Sequence, residues 1–327
     1  MARNWQNKEF YERKKVAIRE TSERITACLA DEKYYLLSTL YSIYYKDNFS
    51  YEKNLEYLLA VINSNVAQFF MYHLVFGLSK GAFTKARTNH YQRFPIPLSK
   101  REEVTREAID ELTKWVSKLD QFKADKNDIN LNLLDYIQPY SDGPALTHIG
   151  IYRPPEGVGD TKLTATKDDY ENLRIGIVTC EREADNTVVI HATARYKPDD
   201  PDAHETDQWG YTETEPMPAM RLSDLSETEA DLVEAFVPVA VEEAGGFAGF
   251  RETATKTNSL VDRLEAITLP DPDDVADDLQ RYREAVERAE ELDEKIRRTD
   301  DLIDEIVYDL YGLTDEEIEI VEEAVGK

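Results

Sequence analysis

The sequence predicts an α+β protein, and three observations carry that prediction. Short β-branched and aromatic runs crowd residues 14–46, and a hairpin pattern recurs at 174–196. Apolar residues spaced three and four apart mark helices after residue 50 and after residue 102. A third helical pattern follows Pro272 and runs unbroken to Gly312. With 327 residues, 41% of them hydrophobic and 10% aromatic, the chain is long and apolar enough for two folded cores.

Taken in order, KKVAIRE, RITACLA and KYYLLSTLYSIYY read as strands, with Asp31-Glu32-Lys33 turning between the second and third. Ser50 then opens a helix whose stripe is Leu55, Leu58, Leu59, Ile62, Val66, Phe69, Phe70 and His73/Leu74. Gly77 and Gly81 end it, and the basic, aromatic run FTKARTNHYQR follows at 83–93. Phe94-Pro95-Ile96-Pro97 continues neither a helix nor a central strand, so it is an extended exit. Ser99 and Glu102 make a capping box for a helix with the stripe Val104, Ala108, Leu112, Trp115, Val116, Leu119 and Phe122.

The next clear element is the hairpin Arg174–Arg182 with Thr187–Tyr196, turning at Glu183-Ala184-Asp185-Asn186, and an acidic loop from Pro198 to Thr214 follows it. Ser226 and Glu229 cap a helix that Pro238 is expected to kink or interrupt. In the long helix Tyr282, Ala289, Ile296, Ile303 and Leu310 lie seven apart, with Leu279, Val286 and Val307 as partners and Asp293 and Asp300 interrupting the seam. Acids in the seam favour one antiparallel partner helix over a long free dimer. Thr314 and Glu317 cap a short last helix.

Charge divides the chain. Residues 1–101 carry 16 Lys and Arg against 9 Asp and Glu, a balance of +7, and residues 102–327 carry −34, which together make the net −27. So acidic a surface suits a halophile's cytoplasm at molar salt, where the Debye length shrinks to about 3 Å. The basic third either is kept for an anionic partner or is simply a less exposed core. The polar start MARNWQNKEFYERKK has no apolar signal region, and residues 55–78 hold too many polar groups to span a membrane. Cys28 and Cys180, far apart, suit a reducing cytoplasm and offer no metal spacing.

Catalytic patterns are missing from the sequence. An adenine-N6 methyltransferase needs a Gly-rich cofactor loop and an Asn-Pro-Pro-Tyr-like turn for the flipped base, and neither occurs. Asp31-Glu32-Lys33 and Asp293-Glu294-Lys295 are the acid–Lys runs, and both read as solvated surface rather than a nuclease metal site. His73, His90, His148, His191 and His204 share no ligand spacing. Gly245-Gly246-Phe247-Ala248-Gly249 lacks the Lys-Ser/Thr of a phosphate loop.

What is present suits duplex DNA. Arg19, Thr21, Ser22 and Arg24 put charge and hydroxyls in and after the first strand. Lys80, Lys85, Arg87, Asn89, His90 and Arg93 fall within fourteen residues, mixing point charges for phosphate with forked Arg and Asn donors for base edges. The same span also fits a solvated basic loop. Asn63 and Ser64, polar within an apolar helix, are expected to bond neighbouring backbone rather than DNA.

The runs RKKVAIRETSERITACLADEKYYLLSTLYSIYYKD, YLLAVINSNVAQFFMYHLVFG and SKGAFTKARTNHYQRFPIPL resemble the TaqI-like C-terminal specificity domain of type IIG restriction enzymes and N6-adenine DNA methyltransferases. The resemblance covers about residues 14–135 and rests most on Ala60-Val61-Ile62-Asn63-Ser64 and Phe94-Pro95-Ile96-Pro97. Type I specificity subunits share its helix, loop and exit pattern, and the closing DLIDEIVYDLYGLTDEEIEIVEEAV is similar to the end of fused methyltransferases. The resemblance does not extend to residues 140–270.

The resemblance implies a basic target-recognition domain at 1–101 and a spacer helix at 102–126. A β-containing acidic region at 127–225 and a helical region at 226–327 follow. It implies double-stranded DNA as one partner and a methyltransferase or restriction subunit as another, with no membrane. In the family the methyltransferase domain lies N-terminal to this region. The chain is therefore expected to be a fragment or to work with a separate catalytic subunit, and S-adenosylmethionine is expected there rather than here. Two other readings stay open: a helical scaffold that binds a methyltransferase without reading DNA, and a nuclease with an unrecognised site in 140–270.

Overall fold

The computed structural model describes residues 12–22, 24–31, 33–37, 39–44, 55–73, 88–97, 102–170, 172–200, 203–242 and 257–326. The chain forms two compact units, Met1–Ile129 with Arg288–Lys327, and Asn130–Glu287. Both mix helices with antiparallel sheet, so the α+β class holds.

In the first unit, β1 (Lys15–Arg19) is the central strand of three, flanked by β2 (Ala27–Ala30) and β3 (Leu40–Ile43). Both neighbours run antiparallel to it: Val16 faces Leu29 on one side and Ile43 on the other. The turn at Asp31 forms as expected, closed by the Tyr34 N–H donating to the Asp31 carbonyl at 3.2 Å. The third strand is shorter than its composition predicts. Tyr34, Tyr35 and Leu37 are 62%, 59% and 75% exposed, and pairing begins only at Leu40, from which Leu40, Tyr41 and Ile43 are half-buried.

The helix expected from Ser50 to His73/Leu74 is two helices over its described part, α1 (Leu55–Asn63) and α2 (Asn65–Met71). Ser64 makes the break. Its backbone is extended (φ −65°, ψ 158°), and its hydroxyl accepts from the Ala67 N–H and donates to the Val61 carbonyl. A serine that bonds its own backbone offers an alternative to the helix ladder, and here the alternative becomes an N-cap.

A one-turn helix, α3 (Thr88–Tyr91), precedes the exit, and α4 (Glu102–Asn127) follows it. Leu112, Val116 and Leu119 of its predicted stripe are buried. They share one core with Val16 and Ile18 of β1, Leu58 and Val61 of α1, and Ile303 and Val307 of the long helix. The capping pair Ser99 and Glu102 lies outside the described side chains.

The second unit is built on a five-stranded sheet. Its strands are β5 (Ile151–Arg153), β6 (Arg174–Glu183), β7 (Thr187–Tyr196), β8 (Thr212–Glu213) and β9 (Met217–Ser223). The order is β5-β9-β7-β6, with β8 pairing the end of β7. The expected hairpin is β6 and β7, and Asp185 and Asn186 take the positive φ that Asp and Asn tolerate in a tight turn. A separate pair, β4 (Asp142–Ala145) with β10 (Thr268–Pro270), and the short helices α5 (Leu133–Ile137) and α7 (Leu260–Glu265) complete this unit with α6 (Glu227–Glu242).

The Ser226–Glu229 capping box opens α6 as predicted. The helix does not stop at Pro238. Phe236, Val237 and Ala240 around the proline are fully buried in the sheet core, and that packing outweighs the hydrogen bond a proline cannot make.

The long helix α8 spans Pro272–Tyr311. Proline sits at its first position, where its missing N–H is harmless, and Gly312 (φ +68°) ends it. Within the first unit the interrupted seam has a partner. Asp293 receives the Lys126 ammonium of α4 at 2.6 Å, beside the shared core of Leu119 and Ile303. The last helix, α9 (Asp315–Val325), begins with the expected Thr314–Glu317 capping box.

Candidate functional site

The described part of the basic region gathers at one end of the three-stranded sheet. Arg19 closes β1, exposed, in register with Leu40 of β3. After it the chain turns back: the Arg19 N–H donates to the Thr26 carbonyl at 3.0 Å, and Thr21 is exposed at the bend. The Ser22 hydroxyl donates to the Arg24 carbonyl, which also accepts from the Thr26 hydroxyl at 3.2 Å. These two bonds shape the turn that holds Thr21 outward.

Tyr41 links this end of β1 to α3. Its hydroxyl donates to Glu20 at 2.6 Å, and its ring meets the edge of Tyr91 with centroids 6.4 Å apart. Burial, with Tyr41 adding to it, pushes the Tyr91 hydroxyl up to about 12, so it stays neutral. His90 is the neighbour of that ring in α3, and Arg93 is exposed one turn further on. The sheet end carrying Arg19 and the helix carrying His90 thus meet through one pair of tyrosines. The proline exit begins directly after Arg93, and its carbonyls are held from both sides. The Tyr57 hydroxyl of α1 donates to Pro97 O, and Tyr311 of α8 donates to Pro95 O at 2.6 Å.

Arg24 points to a different neighbour. Its guanidinium donates to Asn65 Oδ1 at 3.1 Å, and Asn65, buried at the start of α2, donates its N–H and Nδ2 to Asp304 of α8 at 2.9 and 2.6 Å. Asn63 acts as the sequence suggested, bonding the N–H and the carbonyl of Ala27 in β2, both at 3.0 Å. Lys80, Lys85 and Arg87, with the side chain of Asn89, lie outside the described residues.

Sequence reasoning took Tyr34, Tyr35 and Leu37 as strand and therefore missed them. Together with Lys33 they form an exposed aromatic and basic segment between β2 and β3. The signal was available as three large apolar side chains without the period-two alternation of a half-buried strand. Exposed cations, a free-standing hydroxyl at Thr21 and flat aromatic faces are the kinds of group from which a nucleic-acid contact can be built. Among the described residues no group of three His, Cys, Asp or Glu side chains is placed to hold a metal ion.

This sheet end, with its exposed charge, hydroxyls and aromatic faces, is built as a binding surface, and comparison with known families says what kind of domain it resembles. The model of the TaqI-like C-terminal specificity domain matches residues 1–96, up to Ile96 of the proline exit. The resemblance therefore holds for the sheet, for α1 to α3 and for the exit, and it ends short of α4, nearer than the expected 135. At the level of the family this ties the chain to DNA specificity in restriction–modification. No curated protein matches the chain, and no solved structure does. Among the described residues no helix is long and apolar enough to cross a membrane.

Proposed function

We propose that the chain reads a double-stranded DNA sequence for a restriction–modification enzyme, as the specificity element of an adenine-N6 methyltransferase or a type IIG enzyme. The match over residues 1–96 is the observation that carries this reading. The +7 balance of residues 1–101 in a chain of net −27 supports it, because a net-positive segment is drawn to the phosphates of a duplex. Arg19, Thr21, Ser22, Arg24, His90 and Arg93, with Lys80, Lys85, Arg87 and Asn89, are the residues assigned to DNA. Methyl transfer, with S-adenosylmethionine, belongs to a catalytic partner or domain outside these residues. The setting is a salt-rich cytoplasm.

Replacing Lys85, Arg87 and Arg93 together with Ala tests the reading in the full chain. Each lost phosphate or base contact weakens binding, so selectivity for the cognate duplex over random duplex is expected to fall by about tenfold or more. Unchanged DNA affinity, with assembly onto the methyltransferase intact, would instead establish the scaffold reading.

A further inference from the structure

The second unit carries a cationic, aromatic cleft that the recognition region does not explain. Along β7 the side chains alternate: Val188, Ile190, Ala192, Ala194 and Tyr196 enter the core, so Thr193, Arg195 and then Lys197 belong to the other face. On that face Arg174, Arg195, Lys197, Trp209 and Tyr211 line an open cleft of about 550 Å³. Tyr211 organises the charges. The Arg174 guanidinium lies 4.1 Å from its ring centroid, Arg195 5.1 Å, and the Lys197 ammonium 5.3 Å.

Three cations around one ring is an arrangement a stable fold does not need. Arg174 and Arg195 are direct cross-strand partners, and like charges in register destabilise a sheet. Asp207 neutralises only Arg195, whose guanidinium it pairs, while its carboxylate also accepts the N–H groups of Trp209 and Tyr211 at 2.8 and 3.0 Å. Those bonds fix the loop and leave Trp209 65% exposed. Arg174 and Lys197 pair with no carboxylate among the described residues. Two residues on from Arg174 in β6, Gly176 lies so close to β7 and β8 that a Cβ would run into the Glu213 carboxylate and the Thr193 hydroxyl.

In a chain of net −27, with Asp199, Asp200 and Glu205 nearby in sequence, such a site answers to a polyanion with flat rings. We propose that this cleft binds an unpaired segment of a nucleic-acid strand, its phosphates on Arg174 and Lys197 and one base stacked on Trp209. Exposed aromatic faces beside cations are how single strands are held without sequence preference. An acidic peptide would use the cations and leave Trp209 idle. That the strand is DNA rests on the proposed reading of the first unit; the cleft itself asks only for phosphate and a free base.

The test uses the full chain and a fluorescein-labelled oligothymidylate of about fifteen nucleotides at low salt. Binding is expected to weaken roughly tenfold in Trp209→Ala and at least as much in the double variant Arg174→Glu/Lys197→Glu. With up to three cations engaged, log affinity is expected to fall against log salt with a slope of roughly −2 or shallower. Quenching of tryptophan emission by the oligonucleotide is expected to disappear in Trp209→Phe. Both sets of variants lie on exposed side chains and should leave selective duplex binding in place, which separates this site from the first unit's. Oligothymidylate binding that ignores all these variants overturns the proposal, as does equal competition by polyglutamate. An oligouridylate that binds ten times more tightly than the DNA strand overturns the assignment to DNA.

Discussion

Asp304 shows how much of the first unit hangs on a few polar atoms. It is 8% exposed and takes two hydrogen bonds from Asn65, one from the N–H at the start of α2 and one from the side-chain amide. A carboxylate at that place meets both the unsatisfied donors of a helix start and the positive end of its dipole. The Asn65 amide also reaches the Tyr308 hydroxyl at 3.2 Å, so α2 and α8 share one network. Asp304→Ala leaves the buried Asn65 donors without this acceptor and is expected to destabilise the protein by about 2–3 kcal/mol. Asp304→Asn keeps an acceptor and should lose less than half of that. Urea unfolding of the two variants beside the parent checks the ordering; midpoints equal to the parent's would remove Asp304 from any structural role. Lys15 belongs to the same scale: it is 1% exposed, its ammonium donates to the Arg13 carbonyl at 3.1 Å, and burial lowers its proton affinity. Of the basic residues counted in the first hundred, this one faces inward.

The long helix α8 illustrates a second kind of support, distributed along an element. Glu294 accepts from Arg297 at 2.8 and 2.9 Å and from Arg298 at 2.5 Å, one turn ahead. These hydrogen bonds, from Arg297 first and then Arg298, bring its carboxyl down from 4.5 to about 2. Glu291 is lowered in the same way by Arg288 and Lys295. A depressed carboxylate contributes stability above its unfolded value and loses it as pH falls through its folded value. The contribution of Glu294 is therefore present above about pH 4.5 and gone by about pH 2. The melting temperature of Glu294→Gln is expected to lie slightly below that of the parent at about pH 6, and the two should converge by about pH 2. A gap that persists in acid would mean the glutamate acts by something other than its charge. Both acids lie at the surface, Glu291 exposed and Glu294 half-buried, so the effect is small and salt should reduce it.

For the whole molecule the governing quantity is charge. A net −27 spread over 327 residues repels itself, and in dilute salt little screens it. Raising salt from about 0.1 M to about 1 M shortens the Debye length from about 10 Å to about 3 Å. The melting temperature is therefore expected to rise across that range, which a thermal melt in potassium chloride measures. A fall would show that ion pairs such as Lys126–Asp293 and Arg182–Glu234 matter more than the net repulsion.

Much of this protein is legible in the sequence because its signals are local. Periodicity finds β1, β6, β7, α4 and α8, since burying one face of a strand or helix demands a period that composition records. Capping boxes at Ser226 and Thr314, and Gly312 at the end of α8, are read correctly because a helix terminus must satisfy its donors and acceptors with the residues at hand. The specificity-domain signature is equally local, ending at the proline exit. Tertiary structure decided the rest. A break at Ser64, a helix carried through Pro238 and a strand delayed to Leu40 each turn on which neighbours bury those residues. The pairing of Arg24 with Asn65, and the gathering of Arg174, Arg195, Lys197 and Trp209 around Tyr211, join side chains many residues apart. Spacing along a chain carries no record of such meetings, because they exist only once the strands have found their register.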